Sequence, residues 1–459
     1  MNTRVEKDSM GTMDVPVDAY YGASTQRAVL NFPISELRFS RSFIRALGLI
    51  KHCAAEVNEE FGDVDAKVTK AIKAAAMEVA DGKFDNQFVV DIFQTGSGTS
   101  TNMNANEVIA NRAIEILGGK RGDRNLVHPN DHVNNGMSSN DAIPTAIHLA
   151  ALIDIKERLK PALSGLEASL RKKSDQFMSV IKTGRTHLQD ATPILLGQEF
   201  LGYAGQMERA VERLTFVQER LAQVALGGTA VGTGINTRPQ FAGKVLAKLS
   251  HLTGITLHES TNHFQAQSTL DEVVETSGVL KTIAVSLIKI ANDVRWLGCG
   301  PRAGISEIAL PEVQPGSSIM PGKVNPVIAE AVCMVAAQVI GNDVTVTLAG
   351  QSGNFELNVM MPVAAYNLLQ SIVLLSTVVD NFRTKCVDGL QATQRGPELV
   401  ERGLSLCTAL VPEIGYDLAA SISHDAFESG ETIREVALKK TKLSAQDLER
   451  LLDPFSMIK

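Results

Sequence analysis

The stretch VVETSGVLKTIAVSLIKIANDV at residues 273–294 is apolar on more than one side of a helix, with Val279, Leu280, Ile283, Ala284, Leu287, Ile288, Ile290 and Ala291 spread around its circumference. A helix that is apolar all round has to be covered on all sides, in a large core or against further subunits. Outward from it lie four more long periodic segments. After Pro193, the residues Phe200, Tyr203, Met207, Val211, Leu214, Val217, Leu221 and Val224 recur every three or four positions, one stripe along about eight helical turns. The flanking helix is expected at 271–297, and others at 326–348, at 362–382 and at 144–178, the last with Pro161 inside it. Five long helices in one chain cannot shield every apolar face, so the spacing predicts a mainly α protein built on a long-helix bundle whose outer faces meet other copies.

The rest of the chain fits that frame. Its 459 residues, 44% hydrophobic and 21% charged, suit about three folded domains at roughly 150 residues each. We expect a mixed, mostly helical N-terminal part at 1–137, the bundle at 138–393 and a small C-terminal part at 394–459, with short helices at 398–406, 418–428, 433–440 and 444–452. A net charge of −7 with no basic block argues against nucleic-acid binding. Cys53, Cys299, Cys333, Cys386 and Cys407 lie far apart with no C-x-x-C pair, which indicates reduced thiols rather than a zinc site or a disulfide framework. The start, MNTRVEKDSMG, lacks an apolar signal core, and the longest apolar run, about 331–341, is too short for a bilayer. A cytoplasmic protein with no membrane partner is expected, although an organellar protein freed of its transit peptide would look the same.

Four polar segments interrupt the helices. TGSGTSTNMN (95–104) places Ser97 and Thr99 beside glycines, where exposed backbone N–H groups can hold an anion at a helix start; the alternative is a plain capping loop. It lacks the third glycine of a dinucleotide fingerprint. HPNDHVNNGMSSNDAIPT (128–145) crowds His128, Asn130, Asp131, Ser138, Ser139, Asn140 and Asp141 into one loop. Pro129 disturbs the turn that would pair His128 with His132 as metal ligands, and Ser139 or Asp141 could serve as a helix N-cap. In GRTHLQDATP (184–193), His187 sits between Thr186 and Gln189, before the longest stripe. GSSIMPGKVNP (316–326) approaches a Walker A loop but has five residues between Gly316 and Gly322 and Val324 after Lys323, so ATP binding is not expected. It leaves Ser317 in a Gly-flanked loop, then Lys323 and Asn325, then Glu330 on the next helix. A cation and an amide so placed suit a carboxylate that gains charge during a reaction.

In this order the segments resemble the motifs of the fumarase/aspartase superfamily over essentially the whole chain. HPND (128–131), SSND (138–141), GRTHLQDATP, GGTAVGTG (227–234) and SGNFELN (352–358) are most similar to its class II fumarase branch. Ser139 stands where aspartases usually carry Thr, whereas Ser100 is aspartase-like and Met137 replaces a usual Gln. The resemblance implies three mostly helical domains, with the central helices of four subunits forming a twenty-helix core. It implies a hydro-lyase acting on small dicarboxylates, fumarate and (S)-malate, through an aci-carboxylate intermediate and with no metal or organic cofactor. Ser317 would be the general base, Lys323 and Asn325 the stabilising donors, and His187 with Glu330 the handler of the hydroxyl's proton. Ser97, Thr99, Ser138, Ser139, Asn140 and Thr186 would bind substrate, and His128, Asn130 and Asp131 would form a second dicarboxylate site. The alternatives are an aspartate ammonia-lyase and a catalytically silent helical scaffold. The Asn140, His187 and Ser317 loops lie at distant ends of helices roughly 30 to 45 Å long at 1.5 Å per residue, so each site is expected to draw loops from three subunits.

Overall fold

The computed structural model describes residues 2–458 and is mainly helical, its strands confined among those residues to five two-stranded pieces. The apolar-all-round segment forms the helix Asp271–Leu297, with the predicted bounds. Its companions are Leu196–Leu221, Val327–Gly350 and Met361–Lys385. Two expectations shift. The 144–178 helix begins earlier, as Ser139–Asp154, and continues through the π-helical turn Ile155–Leu159 into Lys160–Phe177. That wider turn sits where Pro161, which has no N–H, interrupts the hydrogen-bond ladder. Val224 lies outside its helix, in a short parallel pairing of Gln223 and Val224 with His258 and Glu259.

The chain divides into two compact units. The first comprises Met1–Pro161, Glu212–Ala284 and Ala337–Ser376. Its helix Arg41–Glu60 packs on Ala66–Ala80, Ser139–Asp154 and Phe241–Thr253, burying Phe43, Leu47 and Ile50 completely. Each such side chain contributes about 1.5–3 kcal/mol. The approach to Ala66–Ala80 requires Gly48, because a Cβ there would stand 2.8 Å from both the Ala76 carbonyl oxygen and the Ala80 nitrogen. Among the long-helix segments of this unit, Asp343 accepts from Ser277 Oγ at 2.8 Å and from Lys281 Nζ at 2.6 Å. Asn342 donates to Gln370 and Ser371. The buried pairs among these, Ser277 with Asp343 and Asn342 with Ser371, set register, since a slip would strand each partner without a hydrogen bond.

The second unit comprises Ala162–Val211, Val285–Ala336 and Thr377–Lys459. It holds the antiparallel hairpin Ile181–Thr186 and Gln189–Leu195, and a C-terminal core of Leu406, Leu410, Ile422, Ile433, Val436, Leu448 and Leu452. The helix expected at 398–406 is shorter, Arg395–Val400, followed after Gly403 by the 3-10 turn Leu404–Leu410. The next three are Tyr416–Ser429, Ile433–Lys440 and Ala445–Leu451. Capping boxes from Thr432 with Glu435 and from Ser444 with Asp447 begin the last two.

Val327–Gly350 and Met361–Gly389 each contain an 18-residue stretch of mean hydropathy 1.5, long and apolar enough by composition to cross a membrane, a property that the core helices of soluble proteins share. This corrects the expectation drawn from the uninterrupted run at 331–341, because single charged residues, Glu330 before the run and Asp343 after it, lower the average without dividing the helix.

Candidate functional site

The candidate residues fall into two groups, one within each unit. In the first unit, Gly98 takes a left-handed φ of 73° and precedes the helix Thr99–Ile116. Ser97 Oγ and Thr99 Oγ1 lie 2.7 Å apart across it. Gly96 admits no side chain, since a Cβ would come within 1.8 Å of the Val359 carbonyl oxygen. The first polar segment is therefore held against the stretch that follows SGNFELN, and the Met361 N–H donates to the Gly96 carbonyl at 3.0 Å.

The helix Ser139–Asp154 begins with Ser138, not Ser139 or Asp141, as its N-cap, and Asp141 completes a capping box. Asp141 does more than cap. Its fully buried carboxylate accepts from the N–H groups of Ser138, Gly227 and Thr229 at 2.9, 3.1 and 3.0 Å. Burial pushes its carboxyl above the usual range against these donors. Asn140 Nδ2 donates to the Ala230 carbonyl at 2.8 Å, so residues 138–141 and GGTAVGTG meet in one place with Ser139 and Asn140 still partly open to solvent. Nothing local in the sequence marks the Asp141 contacts, because the partners are backbone groups 86 and 88 residues away.

His128 caps the π-helical turn Pro129–Val133. Its Nδ1 accepts from the N–H groups of Asn130 and Asp131 at 3.2 and 3.1 Å, which leaves the ring proton on Nε2. Burial lowers the ring's pKa, in keeping with that acceptor role, so the neighbouring Asp131 carboxylate is not the partner of an imidazolium. Among the described residues no group of three or more His, Cys, Asp or Glu side chains is arranged to hold a metal.

In the second unit the third polar segment is a hairpin rather than a loop leading directly into a helix. Thr186 pairs with Gln189, and His187 and Leu188 form its two-residue tip with φ of 57° and 60°. Positive φ at both positions is what a tight hairpin of I′ type requires, and Asn-Gly is the usual solution. A His-Leu tip carries backbone strain of order 1–3 kcal/mol per residue. The surrounding structure sustains it: Arg185 grips the buried Glu307 carboxylate with two contacts of 3.0 and 2.9 Å, and the fully buried Lys182 bridges Glu199 and Glu307 at 2.8 and 3.2 Å. Thr186 and His187 are exposed at the tip.

The fourth segment closes on itself. Ser317 Oγ accepts from the N–H groups of Ile319 and Met320 at 3.2 and 2.9 Å. The Asn325 amide donates to the Gly316 carbonyl, and a Cβ on Gly316 would lie 2.1 Å from the Lys323 carbonyl oxygen. Ser317, Lys323 and Asn325 thus share one small loop. Two backbone N–H groups aimed at a hydroxyl oxygen favour negative charge on it. Lys323, Asn325 and Glu330 also line a cavity of about 750 Å³ with Asn292, Arg295 and Trp296. Among the described residues neither the His187 ring nor the Lys323 ammonium has a hydrogen-bond or ion-pair partner within the chain.

A family described as "Lyase" matches residues 11–341, and a second, "Fumarase C C-terminus", matches 406–459. The chain is 50% identical over 458 residues to the mitochondrial fumarate hydratase of Rattus norvegicus, covering 99% of this chain and 90% of that protein. It is 51% identical over 455 residues to the class II fumarate hydratase of Xylella fastidiosa, covering 99% and 95%. Among solved structures, recombinant class II fumarase from Schistosoma mansoni superposes with a TM-score of 0.96 at 39% identity, covering 99% of each chain. A fumarate lyase:delta crystallin from Brucella melitensis in native form gives 0.91 at 46% identity, covering 98% of this chain and all of that one.

Proposed function

The chain belongs to the class II fumarate hydratase family of lyases, and from that membership we propose that it interconverts fumarate and (S)-malate as a hydro-lyase of the citric acid cycle. The observation that carries the reading is the Ser317 loop, with two N–H groups on the hydroxyl oxygen and Lys323 and Asn325 folded beside it. Ser317 Oγ takes the proton from the carbon next to one malate carboxylate, and the electron pair moves onto that carboxylate as an aci form. Lys323 and Asn325 meet the new charge; one such donor is worth about 3 kcal/mol. His187, oriented by Glu330, delivers the proton that leaves with the hydroxyl as water. Ser97, Thr99, Ser138, Ser139, Asn140 and Thr186 hold the carboxylates and hydroxyl, and His128, Asn130 and Asp131 offer a second dicarboxylate position.

The assembly that suits this chemistry is a homotetramer. His187 is exposed at its hairpin tip, whereas proton transfer needs a partner and a water-poor setting. The long helices also leave apolar residues uncovered: Met334 is 68% exposed, Val344 57%, Val285 54% and Trp296 52%. Copies of the chain supply the cover, and with it the Glu330 that meets His187. The three-part division at 1–137, 138–393 and 394–459 is retained, supported at its last boundary by the separate family match and core of the C-terminal part. The compartment we infer is the cytoplasm, on the likeness to bacterial class II enzymes; similarity to mitochondrial enzymes makes the matrix the alternative, and cell fractionation separates the two.

The test is one spectrophotometric assay with two substrates. Purified protein with chelator and no added metal is expected to convert (S)-malate to fumarate, read as rising ultraviolet absorbance, and to leave aspartate essentially untouched. Faster deamination of aspartate than dehydration of malate would overturn the assignment.

A further inference from the structure

Lys51 lies inside the helix Arg41–Glu60 and is completely buried, at a position where the flanking pattern of Leu47, Ile50 and Ala54 calls for an apolar residue. Its Nζ donates to Asn134 Oδ1 at 2.7 Å. A lysine offers this acceptor only N–H groups, so the Asn134 amide must turn its oxygen inward. The other end agrees, because Asn134 Nδ2 donates to the Met137 carbonyl at 3.0 Å. The side chain next in line, Asn102, then has to present nitrogen to that same oxygen, which it does at 3.2 Å, and it donates again from Nδ2 to Ser139 Oγ at 2.9 Å. Asn102 Oδ1 is left buried with no hydrogen-bond partner. Turning the amide round would put oxygen against oxygen at Asn134, so the orphaned atom records which demand prevails. Ser139 Oγ is engaged as an acceptor, and its own O–H keeps no acceptor among the described residues while Ser139 and the neighbouring Asn140 remain partly open to solvent.

We propose that Lys51 is a positioning residue for substrate binding: through Asn134 and Asn102 it fixes the direction in which the Ser139 hydroxyl donates, toward a substrate carboxylate. The proposal rests on the assignment of Ser139 to the substrate site. Burial draws the Lys51 ammonium down to about 7, opposed by the nearby Asp141 carboxylate; the ammonium can only donate, and where the amine forms, its lone pair can also accept, so the Met137 carbonyl then holds the direction of Asn134. An apolar residue at 51 removes the charged donor from Asn134 Oδ1 and leaves the Met137 carbonyl alone to keep that amide from turning; once Asn134 and Asn102 turn together, Ser139 spends its proton on Asn102.

The experiment is a double-mutant cycle in the full-length protein between Lys51→Met, close to isosteric and without a donor, and Ser139→Ala, with turnover of malate by the parent protein established first. Lys51→Met is expected to raise KM about 10- to 100-fold, the scale of a hydrogen bond to a charged group, with kcat within about threefold of the parent. In a Ser139→Ala background it should add less than about twofold. Asn102→Leu, run through the same cycle, carries the test if Lys51→Met does not fold. An unchanged KM in a folded variant, or effects that multiply with those of Ser139→Ala, would overturn the relay. A parent protein that does not dehydrate malate would instead overturn the functional assignment.

Discussion

Ser317 and His187 owe their placement to opposite local means. Ser317 sits in a loop closed by its own backbone, so its removal disturbs little else; His187 is held at a strained turn by ion pairs behind it. Ser317→Ala is expected to lower kcat by about 10²- to 10⁴-fold, the range of general acid–base catalysis, with the thermal midpoint within a degree or two of the parent. His187→Asn should cause a similar loss, yet leave the midpoint equal or higher, because Asn accepts positive φ more readily than His. Steady-state kinetics and a thermal melt on each variant check both, and near-normal turnover in Ser317→Ala would move the base elsewhere. The residue types of this chemistry could be read from the chain because Ser317, Lys323 and Asn325 are close in sequence. The His187–Leu188 turn could not, since it lacks the Asn or Gly that marks such turns. Lys51 was equally hidden, one lysine on the apolar face of its helix whose partner Asn134 lies 83 positions away.

At the scale of elements, the bounds of the long helices from Leu196 to Lys385 were legible to within about three residues, and the ties between helices were not. The Arg41–Glu60 helix is joined to two neighbours by Glu56, which meets Lys73 at 2.5 Å and Lys248 at 2.6 Å. Those two lysines hold its carboxyl down at about 2, against the usual value near 4.5. A carboxyl lowered in the folded state stabilises fully above its unfolded value and loses that contribution as pH falls through the folded one. Glu56→Gln should therefore lower stability by about 1 kcal/mol near neutral pH, the group being partly exposed, and by progressively less between pH 4.5 and 2. Denaturant midpoints of parent and variant at pH 7 and pH 3 measure this. An equal difference at both values would mean that the ion pairs contribute nothing.

For the whole molecule, the exposed apolar residues Val285, Trp296, Met334 and Val344 and the solitary His187 ring are the grounds for the proposal that a working site draws on more than one chain. If the sites are shared among subunits, co-refolding inactive Ser317→Ala chains with inactive His187→Asn chains should restore roughly a quarter of parent activity or less, from those sites that draw both intact loops. Each variant refolded alone should stay inactive. No recovery despite demonstrated mixing of subunits, or full activity in a dilute monomer, would place the site within one chain. The sequence by itself determined the mainly helical class, the long helices and the polar segments carrying the candidate chemistry, because periodicity, glycine placement and short-range motifs are local properties written in consecutive residues. Only the tertiary structure decided that the His187 segment is a hairpin, that the Asp141 carboxylate gathers the N–H groups of Gly227 and Thr229, and that Lys51 faces Asn134. Those contacts join positions far apart in the chain, and backbone donors and buried amides carry no side-chain signature that would announce their partners in advance.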